Sequence, residues 1–314
     1  MKLIISLSIT LALALLLFSQ INLSQIVDIL ANLNPIYLLV AVLSYGFVLL
    51  LRAIRFSVLL KLETRELVPI VMTYNLLNYM LPFKIGELSL PYMLKKIKKH
   101  SFTKALSCLI IARSFDFIIV ILMLLSGFLV ADRIFTELAR ALPMVLLLLV
   151  FLMSLTYLLI FKSHYFVLLI SKIKLSKFEG IKEKFITFLK NFESLKSEKL
   201  LMRVFILSFL AFITGLINTY LILLSLGYNV AANNLLLIVP IGVLSGILPL
   251  QGILGLGTFE SFWIAGFVLM GYSLPVAVLI SLGIHVIQLV SAGFFGLIGW
   301  LKIRKSMLWS SIFL

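Results

Sequence analysis

The sequence predicts an all-α integral membrane protein with six full transmembrane helices and two oppositely oriented re-entrant (broken-helix) hairpins, arranged like an inverted repeat. Hydrophobic residues make up 62% of the 314-residue chain and charged residues 12%, whereas soluble domains are about half apolar and a quarter charged. Several apolar runs exceed the ~18 residues that indicate a spanning helix, and none alternates like a strand of a membrane barrel. Helices are therefore the expected spanning element.

Six apolar runs are long enough to cross a bilayer without interruption. Two further apolar stretches, Leu67 to Leu94 and Leu235 to Gly271, are each broken near the middle by proline and glycine. Together they predict one polytopic membrane domain over residues 1–305, followed by a C-terminal tail over residues 306–314. The predicted spans are Leu3 to Phe18, Pro35 to Leu60, Ala105 to Val130, Pro143 to Phe161, Leu201 to Leu226 and Leu274 to Leu301.

Basic residues indicate the orientation of the spans. By the positive-inside rule, the connections rich in lysine and arginine face the cytoplasm, and both termini then lie there. The sides assigned to all connections agree only if the first interrupted stretch enters and leaves on the cytoplasmic side. The second must then enter and leave on the outer side. Lysine and arginine cluster at residues 61–65, 95–104, 162–203 and 302–305, and are absent from residues 20–34 and 227–234.

The two interrupted stretches share a short pattern of leucine-proline, then glycine, then glutamate. Corresponding breaks in two halves are typical of inverted-repeat transporters, whose substrate site lies between the repeats near the membrane midplane. The alternative is that proline and glycine only kink ordinary spans and that the shared pattern is accidental. The predicted hinge residues are Pro82, Gly86, Pro249, Gly252, Gly255 and Gly257.

The segment from about residue 162 to 200 is basic and amphipathic. Ile181, Phe185, Phe188 and Phe192 recur at spacings of 4, 3 and 4 residues, which predicts a helix with one apolar face on the inner leaflet. A solvated loop with a few buried anchors is the alternative. The net charge of +15 fits an anionic membrane surface, so no nucleic-acid partner is expected.

Charged side chains inside apolar spans are energetically costly, so they are the first candidates for function. Arg52 and Arg55 lie three residues apart and share one helix face. They could bind a phosphate through two planar guanidinium groups, or extend to the inner headgroups. Arg113 and Asp116 are also three residues apart, and could form a structural ion pair or take part in gating or substrate binding.

Glu87 and Glu260 each follow a predicted break, where a half-helix begins with free amide groups. Each could be a helix cap, a site for a proton or a cation, or a partner for the arginines when substrate is absent. Both are also candidates for headgroup binding. Polar side chains near the breaks need partners inside a bilayer, which a headgroup could supply. These further headgroup-binding candidates are Asn78, Lys84 and Gln251.

No metal or cofactor site is expected. The three histidines, His100, His164 and His285, are far apart and show no ligand spacing, and Cys108 is the single cysteine. His285 lies in the last span, where we expect a bond to a neighbouring helix and assign no functional role. The chain also has no GxxxxGK[ST] motif, so ATP hydrolysis is not expected to drive it.

Four motifs occur in order along the chain: Arg-x2-Arg-Phe at residues 52–56, Asn-x3-Pro-x3-Gly-Glu at residues 78–87, Ala-Arg-x2-Asp around Arg113, and Pro-x2-Gly-x2-Gly followed by Glu260. In this order they resemble the flippase-like transmembrane domain of lysylphosphatidylglycerol synthases and its stand-alone relatives. The resemblance covers roughly Met1 to Lys305. In that family the second glycine cluster usually reads closer to Pro-x-Gly-Gly-x-Gly, and here Gln251 and Leu254 interrupt it.

The resemblance implies movement of a lipid with a modified headgroup between leaflets, in the plasma membrane of a prokaryote. The aminoacyl-transfer domain of the full-length synthases is not expected in this chain, and neither is enzyme activity. We therefore expect a translocase for a phospholipid, a glycolipid or a polyprenyl-phosphate-linked lipid, with an anionic or glycosylated headgroup. The alternative is a non-catalytic membrane subunit that anchors or regulates a lipid-modifying or glycosyl-transfer enzyme. Such an enzyme and a second copy of the chain are the candidate protein partners.

Overall fold

A computed structural model describes residues 31–130, 136–172, 179–246 and 252–312 of the chain. Within these ranges the regular structure is entirely helical, and five helices are long and apolar enough to cross a membrane. Each coincides with a predicted span, while the first predicted span, Leu3 to Phe18, lies outside the described residues. The chain is therefore an all-α, multi-pass membrane protein. The five helices are Pro35–Leu60, Phe102–Leu129, Leu142–Phe161, Glu198–Ser225 and Leu274–Lys305.

Two short 3-10 segments interrupt the α-helices of the described chain. We call Pro82–Leu88 the first break, and residues 252–257, which include the 3-10 segment Ile253–Gly255, the second break. The α-helices are α1 Pro35–Leu60, α2 Thr64–Met80, α3 Ser89–Lys98, α4 Phe102–Val130, α5 Thr136–Phe161, α6 Ser163–Lys172, α7 Glu179–Glu193, α8 Glu198–Ser225, α9 Ala232–Leu244, α10 Thr258–Leu269 and α11 Leu274–Ile312.

Helix α1 has clear start and stop signals in the sequence. The side chain of Asn34 accepts hydrogen bonds from the backbone N–H groups of Ile36 and Tyr37, at 3.1 and 3.3 Å, and Pro35 occupies the first helical position, where its missing N–H is harmless. The helix ends at Lys61, whose φ of 57° is left-handed. Between these signals the helix is almost wholly apolar apart from Arg52 and Arg55.

The chain reverses direction at the first break. Helix α2 ends at Met80, because Leu81 is extended before Pro82. Phe83 and Lys84 then adopt left-handed backbone angles, with φ of 56° and 57°, which turn the chain. Gly86 then lies directly against the end of α2: a Cβ atom at this position would lie 2.4 Å from the Cα of Asn78 and 2.5 Å from the carbonyl oxygen of Leu77. Only glycine allows so close an approach.

Helix α3 then runs back along α2, so that the start of α2 and the end of α3, both far from the break, meet. Lys98, the last residue of α3, places its Nζ 2.6 Å from Oε1 of Glu66 in the first turn of α2. Residues 64–98 therefore form a helical hairpin with the first break at its tip. We call it the first hairpin.

Helices α9 and α10 form a second hairpin around the second break. Gly242 of α9 lies under the ring of Trp263 of α10, and Gly266 of α10 lies against Ile238 of α9. Because contacts at lower numbers on one helix match higher numbers on the other, the two helices run antiparallel. Leu254 has a left-handed φ of 57° at the tip. The predicted hinge residue Pro249 lies outside the described residues.

The helices of the two halves pair in a reciprocal way. Helix α1 packs along α8, where Asn218 donates a hydrogen bond to the carbonyl oxygen of Ala41 at 2.6 Å. Helix α2 of the first hairpin packs on α11, and helix α9 of the second hairpin packs on α4. Exchanging α1 with α8, α2 with α9 and α4 with α11 leaves this set of contacts unchanged. The pairing has the form of a two-fold relation between the halves.

Close packing between the halves relies on small residues, as is usual between helices in membranes. Gly296 and Gly299 on α11 lie against Leu76 and Pro69 of α2. On the other side, Gly127 of α4 lies against the backbone of α9 at Leu236. At each of these glycines a Cβ atom would come within 2.6 Å of a neighbouring atom, so a larger side chain would separate the hairpin from its partner.

Two terminal and connecting segments complete the fold. The basic segment contains α6 and α7; Phe192 of α7 is fully buried, whereas Ile181 and Phe185 are exposed. The apolar face predicted for this helix is thus divided between the protein core and the surface. Helix α11 continues past Lys305 to Ile312, so most of the segment predicted as a tail is helical, since neither proline nor glycine interrupts it there.

Candidate functional site

A cavity of about 520 Å³ lies between the two hairpins and is bordered by both breaks. Its walls come from α1, α2, α4, α8, α9, α10 and α11 in addition to the breaks. Much of the wall is apolar, formed by side chains of α4, α8 and α9, whereas charged side chains line the part next to the first break. The apolar lining includes Leu109, Phe117, Val120, Phe212 and Val239.

Glu87, in the first break, is joined to α4 and α2 by hydrogen bonds. Arg113 donates from Nε to Oε2 of Glu87 at 3.1 Å and from Nη2 to Oε1, which makes a two-point ion pair. The hydroxyl of Tyr74 donates to the same carboxylate at 2.8 Å and accepts from Arg113 at 2.7 Å. Two-point contacts between arginine and carboxylate are among the strongest in proteins, so they fix the first break relative to α4.

Asp116, one turn further along α4, is paired with α1. Arg55 donates to both carboxylate oxygens of Asp116, the Nη2 to Oδ2 contact being 3.2 Å long, and also to the hydroxyl of Ser208 on α8 at 2.7 Å. The sequence-predicted pair of Arg113 with Asp116 is present at 3.5 Å, but each partner has a closer contact in another element. Arg55 is buried behind Asp116 and does not line the cavity.

Two cations at the cavity form no salt bridge with an acidic side chain in the described part of the chain. Arg52 donates to the side-chain oxygen of Asn75 at 3.0 Å, and Asn75 donates in turn to the hydroxyl of Tyr45 at 2.6 Å. Lys84 lines the cavity and forms neither a hydrogen bond nor an ion pair with any described residue. The side-chain oxygen of Asn78, also at the cavity wall, has no hydrogen-bond partner in the described part of the chain.

Glu260 lies behind the cavity wall. Its Oε2 accepts from the backbone N–H of Gly257 at 2.7 Å, and its Oε1 lies 2.5 Å from Nδ1 of His285 on α11. The other ring nitrogen of His285 lies 3.0 Å from the carbonyl oxygen of Leu254 in the second break. Both side chains are fully buried, and Phe259, which does line the cavity, stacks on the imidazole with ring centroids 4.2 Å apart.

The structure therefore brings together most, but not all, of the sequence-predicted site residues. Arg55 and Glu260 are buried one layer away from the cavity, and Gln251 lies outside the described residues. Among the hinge residues, Gly255 lines the cavity. No functional role was predicted for Tyr45, Tyr74, Ser208, His285 or Gln288. Those that line the cavity are Arg52, Asn78, Lys84, Glu87, Arg113 and Asp116.

The sequence contains a signal that could have identified His285. Arg113 follows Glu87 by 26 residues and His285 follows Glu260 by 25. In each half, a basic side chain on the long helix after the hairpin thus contacts the glutamate of the break.

The model of the family described as "Lysylphosphatidylglycerol synthase TM region" matches residues 3–296. The chain belongs to this family. The matched region contains both hairpins and every charged residue that lines the cavity, and membership supports a role related to membrane lipids. No curated protein and no solved structure matches the chain.

Proposed function

We propose that the protein is a lipid translocase that moves a phosphate-bearing lipid between bilayer leaflets without ATP hydrolysis. The observation that carries this proposal is one cavity that is bordered by both breaks and has an apolar wall and an excess of positive charge. A lipid has the same division, since its headgroup is charged and its chains are apolar. Under this proposal the protein catalyses no chemical reaction.

The placement of the two hairpins in the bilayer is part of the proposal. The meeting of Glu66 with Lys98 supports a first hairpin whose ends both lie on the basic, cytoplasmic side. The second hairpin would enter from the outer side, because the lysine-free residues 227–234 precede it. With six full spans, both termini would lie in the cytoplasm of a prokaryotic cell, and the cavity would lie near the midplane.

The charge balance supports an anionic headgroup. The charged network at the cavity contains four basic side chains and two acidic ones, so two positive charges remain. The excess is carried at the wall by Arg52 and Lys84. At an effective dielectric constant of 20, two unit charges 4 Å apart interact by about 4 kcal/mol. A phosphate would therefore gain substantially from this site, whereas a lysylated headgroup would add positive charge to it. The basic members are Arg52, Arg55, Lys84 and Arg113, and the acidic members are Glu87 and Asp116.

The size of the cavity limits what enters it. Pockets of roughly 300–1,000 Å³ hold drug-sized molecules, so about 520 Å³ suits a headgroup with the first part of its chains. The remaining acyl or polyprenyl chains would stay in the lipid. Such a division lowers the main barrier to lipid movement, which is the exposure of a charged headgroup to hydrocarbon.

The reciprocal packing of the halves supports a route with two openings. Each hairpin packs on the last long helix of the other half, so movement of one hairpin changes one side of the cavity at a time. Rocking of one repeat against the other around a fixed site is how inverted-repeat transporters open alternately to the two sides.

The second candidate function is a subunit that anchors a lipid-modifying enzyme. The observation in its favour is the exposure of Ile181 and Phe185 beside the lysines of α7. The same surface would also fit the inner leaflet of an anionic membrane. An anchoring function would leave the charged cavity without a role, so we favour the translocase.

The experiment that tests the proposal measures lipid movement in liposomes containing the purified protein. Fluorescent phosphatidic acid, phosphatidylglycerol, lysylphosphatidylglycerol and phosphatidylcholine are compared. We expect faster movement of the two anionic lipids, and loss of most of the acceleration in Arg52→Gln/Lys84→Gln. The matched control is Arg65→Gln/Lys95→Gln, which removes two exposed charges from the same hairpin. Movement of every lipid at the rate of empty liposomes would contradict the proposal.

A further inference from the structure

Two glutamates, Glu87 in the first break and Glu260 just after the second break, have partners of different chemistry. Glu87 is held by Arg113, whose guanidinium keeps its charge at all pH values that a protein experiences. Glu260 is held in the corresponding place by His285, whose charge changes near neutral pH in an ordinary environment. The two-fold relation between the halves thus places a permanent cation at one break and a titratable side chain at the other.

The hydrogen bonds fix how many protons the second pair holds. The carbonyl oxygen of Leu254 can only accept, so Nε2 of His285 must carry a proton. Nδ1 of His285 and Oε1 of Glu260 are 2.5 Å apart, and one of these two atoms must carry a second proton, because two acceptors would repel at that distance. In either arrangement the pair is neutral overall, which suits its complete burial.

We propose that Glu260 and His285 form a proton-binding site whose loaded state holds the second break against α11. With the shared proton present, the chain from Leu254 to Gly257 is tied through the pair to α11. When that proton is released to solvent, a carboxylate faces an unprotonated imidazole nitrogen, so the contact between Glu260 and His285 opens and the bond from Nε2 of His285 to Leu254 alone ties the break to α11. Glu260 keeps its bond to the N–H of Gly257 at the start of α10, where a negative charge is stabilised.

Few titratable groups lie on the elements packed around the pair. Helices α9 and α10 contain no ionisable side chain apart from Glu260. On α2, the hydroxyl of Tyr79 donates to Gln288 one turn along α11 from His285. The first break packs on the second break and brings Lys84 and Glu87 to the same cavity. The charged residues of α8 and the other charged residues of α11 lie far along these helices, at residues 198–203 and 302–305. The second break contributes only its backbone to the pair.

The asymmetry has a functional consequence that rests on the proposed translocase activity. A proton that leaves the site loosens the second hairpin and leaves the first hairpin closed, because the Glu87 pair with Arg113 does not lose a proton. A proton gradient across the membrane can then favour one opening of the cavity over the other. Protons are the coupled ion under this account.

Hydrogen–deuterium exchange in lipid nanodiscs tests the site without requiring transport. Exchange of backbone amides is measured between pH 6 and 9 and corrected for the intrinsic pH dependence of exchange. Opening that releases one proton becomes about tenfold more favourable per pH unit, so we expect protection at residues 252–257 to fall by that factor above the pH at which the proton leaves. The comparison at residues 82–88 is made in Lys84→Gln, which removes the titratable ammonium group from the first break, and protection there should remain constant.

Two variants make the result specific to the pair. In Glu260→Gln the amide can accept from Gly257 and donate to neutral His285, so both contacts persist without a shared proton. In His285→Arg, Glu260 faces a guanidinium group with a permanent charge, as Glu87 does at the first break. Both should remove the pH dependence, while the control His100→Gln/His164→Gln should retain it. Uniform protection of the wild-type second break across this pH range, or an unchanged pH dependence in Glu260→Gln, would overturn the proposal.

Lipid movement under an imposed pH gradient separates this inference from the proposed function. A pH-dependent second break in a protein that moves no lipid would support the proton site and contradict the translocase. Lipid movement that ignores the gradient, together with pH-independent exchange at residues 252–257, would overturn the proton site and leave the translocase intact.

Discussion

Arg113 contacts both carboxylate oxygens of Glu87 and so connects the first break to α4 at the wall of the cavity. The hydroxyl of Tyr74 lies between them and contacts both. Because both side chains are at least 70% buried, this pair is shielded from solvent more than a surface salt bridge is. It therefore has a role in holding the hairpin in place as well as in forming the site.

Glu87→Gln is expected to destabilise the protein. The substitution removes the negative charge and leaves Arg113 with Asp116 at 3.5 Å as its remaining carboxylate. Hydrogen bonds to charged groups contribute about 1.5–3 kcal/mol, and we expect a loss in that range in denaturant unfolding in detergent. The matched control is Glu63→Gln, because Glu63 pairs with Arg65 at the exposed start of the same hairpin. Equal stability of the two variants would show that the buried pair has no structural role.

Gly86→Ala is expected to disturb the tip of the first hairpin. The added Cβ would lie 2.4 Å from the Cα of Asn78, and backbone cannot move aside as a side chain can. Overpacking of this kind costs about 1–3 kcal/mol, measured as a fall in unfolding free energy. Gly180→Ala on α7 is the control, since no atom lies within 4 Å of its added Cβ. A Gly86→Ala protein as stable as wild type would contradict the close approach of the break to α2.

The ends of each hairpin should be accessible from one side of the membrane only. Single cysteines are introduced in a Cys108→Ser background, which removes the one native cysteine. We expect Glu66→Cys and Lys98→Cys to react with a membrane-impermeant thiol reagent from the cytoplasmic side. Asn229→Cys and Ser273→Cys, which flank the second hairpin, should react from the outer side. Labelling of Glu66→Cys and Lys98→Cys from opposite sides would mean that the first hairpin crosses the membrane.

Continuous apolar runs made the long helices predictable. A run such as Pro35 to Leu60 needs no information from the rest of the chain, because each backbone group bonds within the helix. The positions of Glu87 and Glu260 after the breaks were also accessible, since proline and glycine mark where a helix must stop. These features depend only on residues that are close together in the sequence.

The partners across helices were not predictable in the same way. The three-residue spacing of Arg113 and Asp116 reveals only neighbours on one helix, and the closer partners, Glu87 and Arg55, come from other elements. His285 was expected to bond a neighbouring helix, but the matching separations of 26 and 25 residues indicate Glu260 as its partner only once the contact of Glu87 with Arg113 is known. Such contacts depend on how distant segments pack, which local patterns do not specify.

Removing either unpaired cation at the cavity should weaken binding of an anionic headgroup. Because a hydrogen bond to a charged group contributes about 1.5–3 kcal/mol, Lys84→Gln and Arg52→Gln should each lower the affinity for phosphatidic acid by about tenfold or more. The measurement is a titration with short-chain lipid in detergent, with water-soluble glycerol 3-phosphate as a second ligand. The exposed Lys95→Gln is the control. Affinities equal to wild type in both cavity variants would exclude the cations from headgroup binding.

Reversible obstruction of the cavity is the most direct test of the account, which holds that lipid passes through this space. Gly215 lines the cavity, and a Cβ atom there would meet no other atom within 4 Å. In the Cys108→Ser background, Gly215→Cys should allow lipid movement in liposomes, lose it after attachment of a bulky thiol reagent, and regain it after reduction. Gly180→Cys, at an exposed position on α7, should be unaffected by the reagent. If modified Gly215→Cys moved lipid as fast as the unmodified protein, the cavity would not be the route.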